Sequence, residues 1–529
     1  MVRSGRTLPR FFLVTLGFAL AQFAFAAPNV LKASRHDVSK PLSQLASQNG
    51  SAKSQSDRER EDAFATGDIM NPNRDPAATT FAGALKGVSF NPSFDGQSAS
   101  DNRRILGFAY VPPDTNGAAG DKQYVQMVNV TIAVYSKSGT LQLGPAPIHT
   151  IWSGFGGPCE NEEDGGDPVV LYDQFAKRWL VSQFMYNASF TQNEQCVAIS
   201  TSSDATGSYY RYEFDWGVNF PDYPKFGVWP DAYYNTVNVF GPRSFLGAEA
   251  CAFDRTAMLS GAPASAVCFQ QPSGVASLLP ASIDGSTLPP AGAPNYNLAL
   301  VDSTHLGLWK FHADFANPAK SSFTGPTLIT VANFSELCAR AINVSCIPQP
   351  APGERVDGLG DRLMFRLAYR NYGDHESLVA NHTVKGGDRG ALRWYEIRNP
   401  GGTPTVYQQA TITDPSVSYW LGSIAQDAAG NTAAGFSVSS LQVYPSVYIG
   451  GRSASDPLNA MYGPLGIVDG TGSQFQSYHR WGDYSAMTVD PTDDCTFWYT
   501  QEYYGTTSSF NWKTRIGSFK FDNCKKNAR

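Results

Sequence analysis

Five aspartates, Asp114, Asp167, Asp231, Asp361 and Asp483, each follow a Pro or a Gly and each precede a short apolar run. Carboxylates repeated at corresponding places would converge if those runs were set about an axis. Converged carboxylates stay ionised together only beside a cation or structural hydrogen bonds. Calcium, a hard cation with oxygen ligands, is the natural guest; the competing reading is that each Asp caps a turn or bonds its own backbone. The run Cys159-Glu160-Asn161-Glu162-Glu163-Asp164-Gly165-Gly166-Asp167 gathers further carboxylates in a Gly-containing loop that could also clasp calcium, although it lacks the spacing of a helix-flanked calcium loop.

Other residues suggest acid–base chemistry or ligand contact. Glu376 and His382 would share one face of a strand and could form an acid–base pair or a plain surface contact. The zinc-protease pattern is excluded, because no His stands three residues after Glu376. Arg480-Trp481, Arg393-Trp394 and Arg452 with Asp456 combine flat rings with charged groups that suit sugars and carboxylates; the same groups also fill gaps between packed sheets. The ligand-contact candidates are therefore Arg480, Trp481, Arg393, Trp394, Glu376 and His382. Nucleophile-elbow, phosphate-loop and dinucleotide motifs are missing, and no catalytic residue is assigned.

The elements that would position these groups are strands. From residue 105 onward, short β-branched and aromatic runs alternate with Gly, Pro, Asn and Asp, and hardly any segment shows a helical period. One template recurs: a strand, a polar turn, then an aromatic strand, as in Pro168 to Trp179, Ser423 to Phe436 and Tyr484 to Trp498. The marks fall about 61 residues apart, the size of a four-stranded unit in a β-propeller, whose radial closure hides sheet edges. The expectation is an all-β propeller of seven four-stranded antiparallel blades, with six or eight left open. A strand from near the mature N-terminus would close the last blade, and residues 87–90 are one stretch able to dock.

Pro112-Pro113-Asp114-Thr115-Asn116-Gly117, Arg366-Leu367-Ala368-Tyr369-Arg370-Asn371, Arg480-Trp481-Gly482-Asp483-Tyr484-Ser485 and Cys495-Thr496-Phe497-Trp498-Tyr499 resemble a family of large secreted bacterial proteins. The resemblance covers most of residues 105–521. It implies secretion and a β-propeller, and it supplies no catalytic residues.

Residues 1–26 read as an export signal: Arg3, Arg6 and Arg10 precede an apolar run, and Ala24-Phe25-Ala26 forms a small-x-small cleavage pattern. Residues 27–102 read as a disordered linker or pro-segment and residues 103–525 as the propeller. Eight cysteines in an exported chain predict disulfides, and sequence proximity suggests Cys159 with Cys196, Cys251 with Cys268, Cys338 with Cys346 and Cys495 with Cys524. The net charge of −6 speaks against a nucleic-acid partner, and no later apolar window is long enough to cross a bilayer. The expected protein is a monomer, secreted or periplasmic. It would act as a binding or scaffold protein for an extracellular polysaccharide or protein, with calcium as its only expected cofactor. The alternative is a glycosidase or lyase using carboxylates at the same channel face, and a channel filled by side chains would instead indicate a structural protein.

Overall fold

The computed structural model describes residues 27–47, 55–59, 69, 71, 73–161, 165–338, 345–475 and 479–525. The export-signal reading and the acidic residues Glu162, Glu163 and Asp164 lie outside them. Strands hold 52% and helices 6% of the residues, so the fold is all-β, as expected.

Seven blades occupy residues 116–147, 166–217, 220–270, 279–330, 364–412, 418–468 and 486–521. Their innermost strands are Asn116–Ala119, Gly166–Asp173, Phe220–Val228, Leu279–Ile283, Met364–Asn371, Ser418–Gln426 and Ala486–Val489. Each touches the next and the seventh touches the first, closing a ring. Most middle strands are buried on both faces by neighbouring blades, which is why they read as continuous apolar runs without a period of two. The recurrent polar turn has a simple cause. Asp173, Asp427 and Asp490 each accept hydrogen bonds from backbone N–H groups just downstream, which folds the chain toward Trp179, Phe436 and Trp498.

Blade 7 supplies three strands of its own, and Val88–Ser98 pairs with Trp512–Phe521 as its outermost strand. The closing strand is thus N-terminal, as expected, and longer than the stretch picked out in the sequence. The described parts of residues 27–102 are structured, which corrects the linker reading. Asn29–Lys32 extends blade 3, Arg35–Val38 extends blade 2, and Leu42 docks into the blade 1 core. Backbone N–H groups of Ile69 and Asn71 reach side chains between blades 4 and 5, Ala78–Thr79 pairs with blade 5, and Phe81 packs on Tyr419 and Phe436 of blade 6. One segment therefore contacts every blade. Low apolar periodicity hid it, because these strands borrow their partners from the ring and bury little surface of their own.

All four suggested disulfides are present: Cys159–Cys196, Cys251–Cys268, Cys338–Cys346 and Cys495–Cys524. No helix among the described residues is long and apolar enough to cross a membrane.

Candidate functional site: the two ends of the channel

Three of the five aspartates meet at the end of the channel where the inner strands begin. Asp114 accepts hydrogen bonds from the Asp483 backbone N–H at 2.8 Å and from Asn129 Nδ2 at 2.8 Å, while the Asp167 N–H donates to Asn129 Oδ1 at 3.0 Å. Blades 1, 2 and 7 are tied together through this knot. Burial, then the charges of Asp483 and Asp167, push the Asp114 carboxyl well above its usual range. Burial also raises Asp483, against the pull of Arg480.

Positive charge comes from the protein itself. Lys225 is fully buried, with its ammonium 3.4 Å from the Tyr223 ring centre and 4.1 Å from that of Tyr484. Burial pulls its pKa down to about 8, opposed by Asp167, Asp483 and Asp114. Arg480 bridges Asp357 at 2.6 Å and Asp483 at 2.7 Å. Lys225 and Arg480 thus bring positive charge to the carboxylates that the sequence reading offered to calcium. Among the described residues, the three potential ligand side chains close enough to hold a metal are Glu249, Cys251 and Cys268, and the two cysteines are joined to each other.

The remaining two aspartates do not converge. Asp231 lies exposed in the turn after the inner strand of blade 3, at the opposite end, accepting from Tyr234 Oη. Asp361 is held by its neighbour Arg362 at 2.8 Å. What the inner strands share is conformation: Asp114, Asp167, Tyr223, Ser277 and Leu421 all have positive φ, between 45° and 56°, at or just before the point where the inner strand starts or bulges. Asp tolerates that region better than most residues, which is why it marked two of these places.

This end is closed. Tyr484 lies on the axis, donating to the Pro168 carbonyl at 3.1 Å, with the Tyr223 and Phe365 rings each 6.1 Å away. Above it, the insertion between blades 4 and 5 locks onto the lead-in to blade 7: Asp357 accepts from the Trp481 N–H, and Gln349 and Gln474 exchange hydrogen bonds. An apolar cap of Val111, Ile347, Val356, Trp420, Trp481 and Trp512 completes the seal.

Five of the six sequence-derived contact residues are accordingly interior, and Glu376 is half-buried. Arg480 and Trp481 belong to the seal, and Trp481 packs 5.0 Å from Trp420. Arg393 is wholly buried and holds the N-terminal segment through Asp75, as well as Thr411 and Gln409; Trp394 is core. His382 is buried against Phe334 and shares a hydrogen bond with Tyr395 Oη at 3.0 Å. Burial, then Arg393, hold its pKa well below the usual value. Glu376 instead accepts from Tyr369 Oη at 2.6 Å. Glu376 and His382 do not pair, because six residues of extended strand separate them by about 20 Å.

The opposite end is open. Its depression is lined by Ala118, Tyr172, Gln174, Asp284, Arg366 and Thr488 among others, and leaves about 30 Å³ for the centres of water-sized groups, room for on the order of two waters. Arg366 pairs with Asp284 at 2.6 Å and donates to the Met487 carbonyl, while its Nε–H has no protein partner; Thr488 Oγ1 is likewise buried without one. Around the rim, Arg370 holds Asp494 at 2.8 Å and Lys137 holds Asp490 at 2.8 Å. Asp284, Asp490 and Asp494 are thus each paired with a cation, while Asp231 and Asp427 at the same end are held by neutral donors. Sequence reasoning missed Lys225, Asn129, Arg366 and Thr488, although Arg366 lies inside the family-like segment.

A titratable group off the axis gives a pH prediction. Glu194 in blade 2 is pushed up to about 8 by burial, then by Asp215 and Glu213. The folded chain keeps this proton where the unfolded chain has lost it, so the stabilisation is full below about pH 4.5 and disappears as pH rises through 8. Glu194→Gln should melt several degrees above wild type at pH 9 and level with it at pH 4.5. Lys225 contributes with the opposite sign above pH 8, equally in both proteins. Matching calorimetric melts at pH 9 would refute the assignment.

No family model and no curated protein matches the chain. Solved structures similar to it include the N-terminal domain of Nup159 (9% identity, 88% of this chain and 100% of that one, TM-score 0.35). Others are polysaccharide lyase Uly1 (9%, 94% and 100%, 0.34) and an exo-β-1,3-galactanase from Phanerochaete chrysosporium (10%, 82% and 98%, 0.30).

Proposed function

We propose that this chain is an exported binding or scaffold propeller that takes an extracellular polysaccharide at the open end of its channel. It is read as a member of the secreted family that its C-terminal motif resembles. Four disulfides support an oxidising compartment. The observation that carries the reading is the open mouth itself, where Asp284, Asp490 and Asp494 are each paired with a cation and Gln174 offers a part-exposed amide. A neutral, hydroxyl-rich ligand meets such a surface without upsetting its ion pairs. The glycosidase or lyase reading is weaker, because the mouth carboxylates Asp284, Asp490 and Asp494 are each held by a cation and those at the other end are sealed.

A glycan array followed by titration calorimetry tests the proposal. Gln174→Ala removes that amide and should weaken binding about three- to tenfold, the worth of one hydrogen bond, with a nearly unchanged melting temperature. Unaltered affinity, or binding of proteins alone, would overturn the reading.

A further inference from the structure

On the sealed side of the ring, away from the axis, blade 2 presents an aromatic cluster to solvent. Phe190 stacks on Tyr186 with ring centres 4.5 Å apart and planes within 7°, and Phe220 meets both edge-on at 5.4 and 5.6 Å. Phe190 remains 46% exposed and neighbouring Val218 52% exposed. With one face of Phe190 on Tyr186 and Phe220 beside it, the exposed part is the other face and the rim.

The turn that displays this ring is held firmly. Asn187 Oδ1 accepts from the Thr191 N–H at 2.9 Å, and the Phe190 N–H donates to the Asn187 carbonyl at 2.8 Å. Buried Asn193 bridges the Phe190 and Gly217 carbonyls at 3.0 and 2.8 Å, tying this turn to the one carrying Val218. Phe190 itself has φ of 52°, where a bulky side chain is rare. The backbone is thus fixed in an unfavourable conformation that keeps an apolar ring in water.

We propose that Tyr186, Phe190, Val218 and Phe220 form a stacking platform for the sugar rings of a neutral polysaccharide. Flat apolar faces match the C–H faces of pyranose rings, and the exposed Ser189, Thr191 and Gln192 on the same turn can meet their hydroxyls. The sign of the local charge selects the polymer class: Asp215 is exposed beside the patch, so acidic polymers are repelled. The platform is independent of the channel mouth.

Sedimentation of the full chain with insoluble cellulose, chitin and β-1,3-glucan, with alginate gel as the acidic comparison, tests this. Wild type should be retained on at least one neutral polymer. Phe190→Gly suits the positive φ and removes the ring; it should lower retention at least tenfold with an unchanged melt. Phe190→Trp should retain binding, and Leu441→Ser, at an exposed apolar residue of blade 6 outside the platform, should bind this polymer as wild type does. Equal retention by Phe190→Gly, absence of retention on every neutral polymer, or preference for alginate would each overturn the proposal. So would a wild-type dimer that Phe190→Gly converts to monomer in light scattering, since the occupant would then be a second copy of the chain.

Discussion

A chain beginning at Ala99 should fail to give a soluble monomer. It lacks Val88–Ser98, so Trp512–Phe521 loses its partner and becomes an open sheet edge, a template for aggregation. The strand also fastens blade 7 to blade 1: Phe94 packs 5.4 Å from Tyr135, the Gln97 N–H donates to Gln126 Oε1 at 2.7 Å, and the Gln97 carbonyl accepts from Thr514 Oγ1 at 2.7 Å. Each buried group left without a partner costs about 1–3 kcal/mol, in addition to the lost apolar contacts. A chain beginning at Lys86 keeps the closing strand and should fold, with a lower melting temperature because blades 2, 3 and 5 lose their added strands. A synthetic peptide of residues 86–98, supplied during refolding, should restore monomer to the shorter chain. A chain from Ala99 that runs as a monomer in size exclusion and melts like the full protein would show that the closing strand is dispensable.

Arg480→Ala should be the most damaging single substitution at the sealed end. Arg480 is 7% exposed and satisfies two buried carboxylates, Asp357 and Asp483. Removing one partner from a buried ion pair costs about 3–5 kcal/mol. The deficit should depend on pH with a definite sign. Without the guanidinium the Asp483 carboxyl, already raised by burial, rises further, so the variant gains relative to wild type as pH falls and it takes up a proton, and loses most at neutral and alkaline pH. Denaturant titrations at pH 5 and 8 measure this. Equal losses at both pH values would mean that Arg480 acts through packing alone, and no loss at pH 8 would remove it from the ion-pair network.

The blade repeat was legible because blades 2, 6 and 7 share an Asp-led turn followed by an aromatic strand, and Asp173, Asp427 and Asp490 make that turn by bonding their own backbone. Disulfide pairing was legible because strand neighbours such as Cys251 and Cys268 are also close in sequence. The site was not, because a type pattern does not report orientation. Asp231 and Asp114 both follow proline, yet one sits on a hairpin at the far rim and the other at the axis. The equivalent position in blade 3 is Tyr223, whose backbone is left-handed like that of Asp114. Arg and Trp at Arg393-Trp394 and Arg480-Trp481 read as ligand contacts because nothing local reveals that a distant segment, carrying Asp75 or Asp357, will cover them.

The N-terminal belt also sets an order of events. Residues 88–98 leave the ribosome early, but their platform, residues 513–521, is the last part of the ring to be made. Until then the nascent chain carries six blades and an unclaimed ribbon, and closing so wide a loop is slow. Synthesis and ring closure are therefore separated in time: the molecule cannot lock before residues 513–521 have been made.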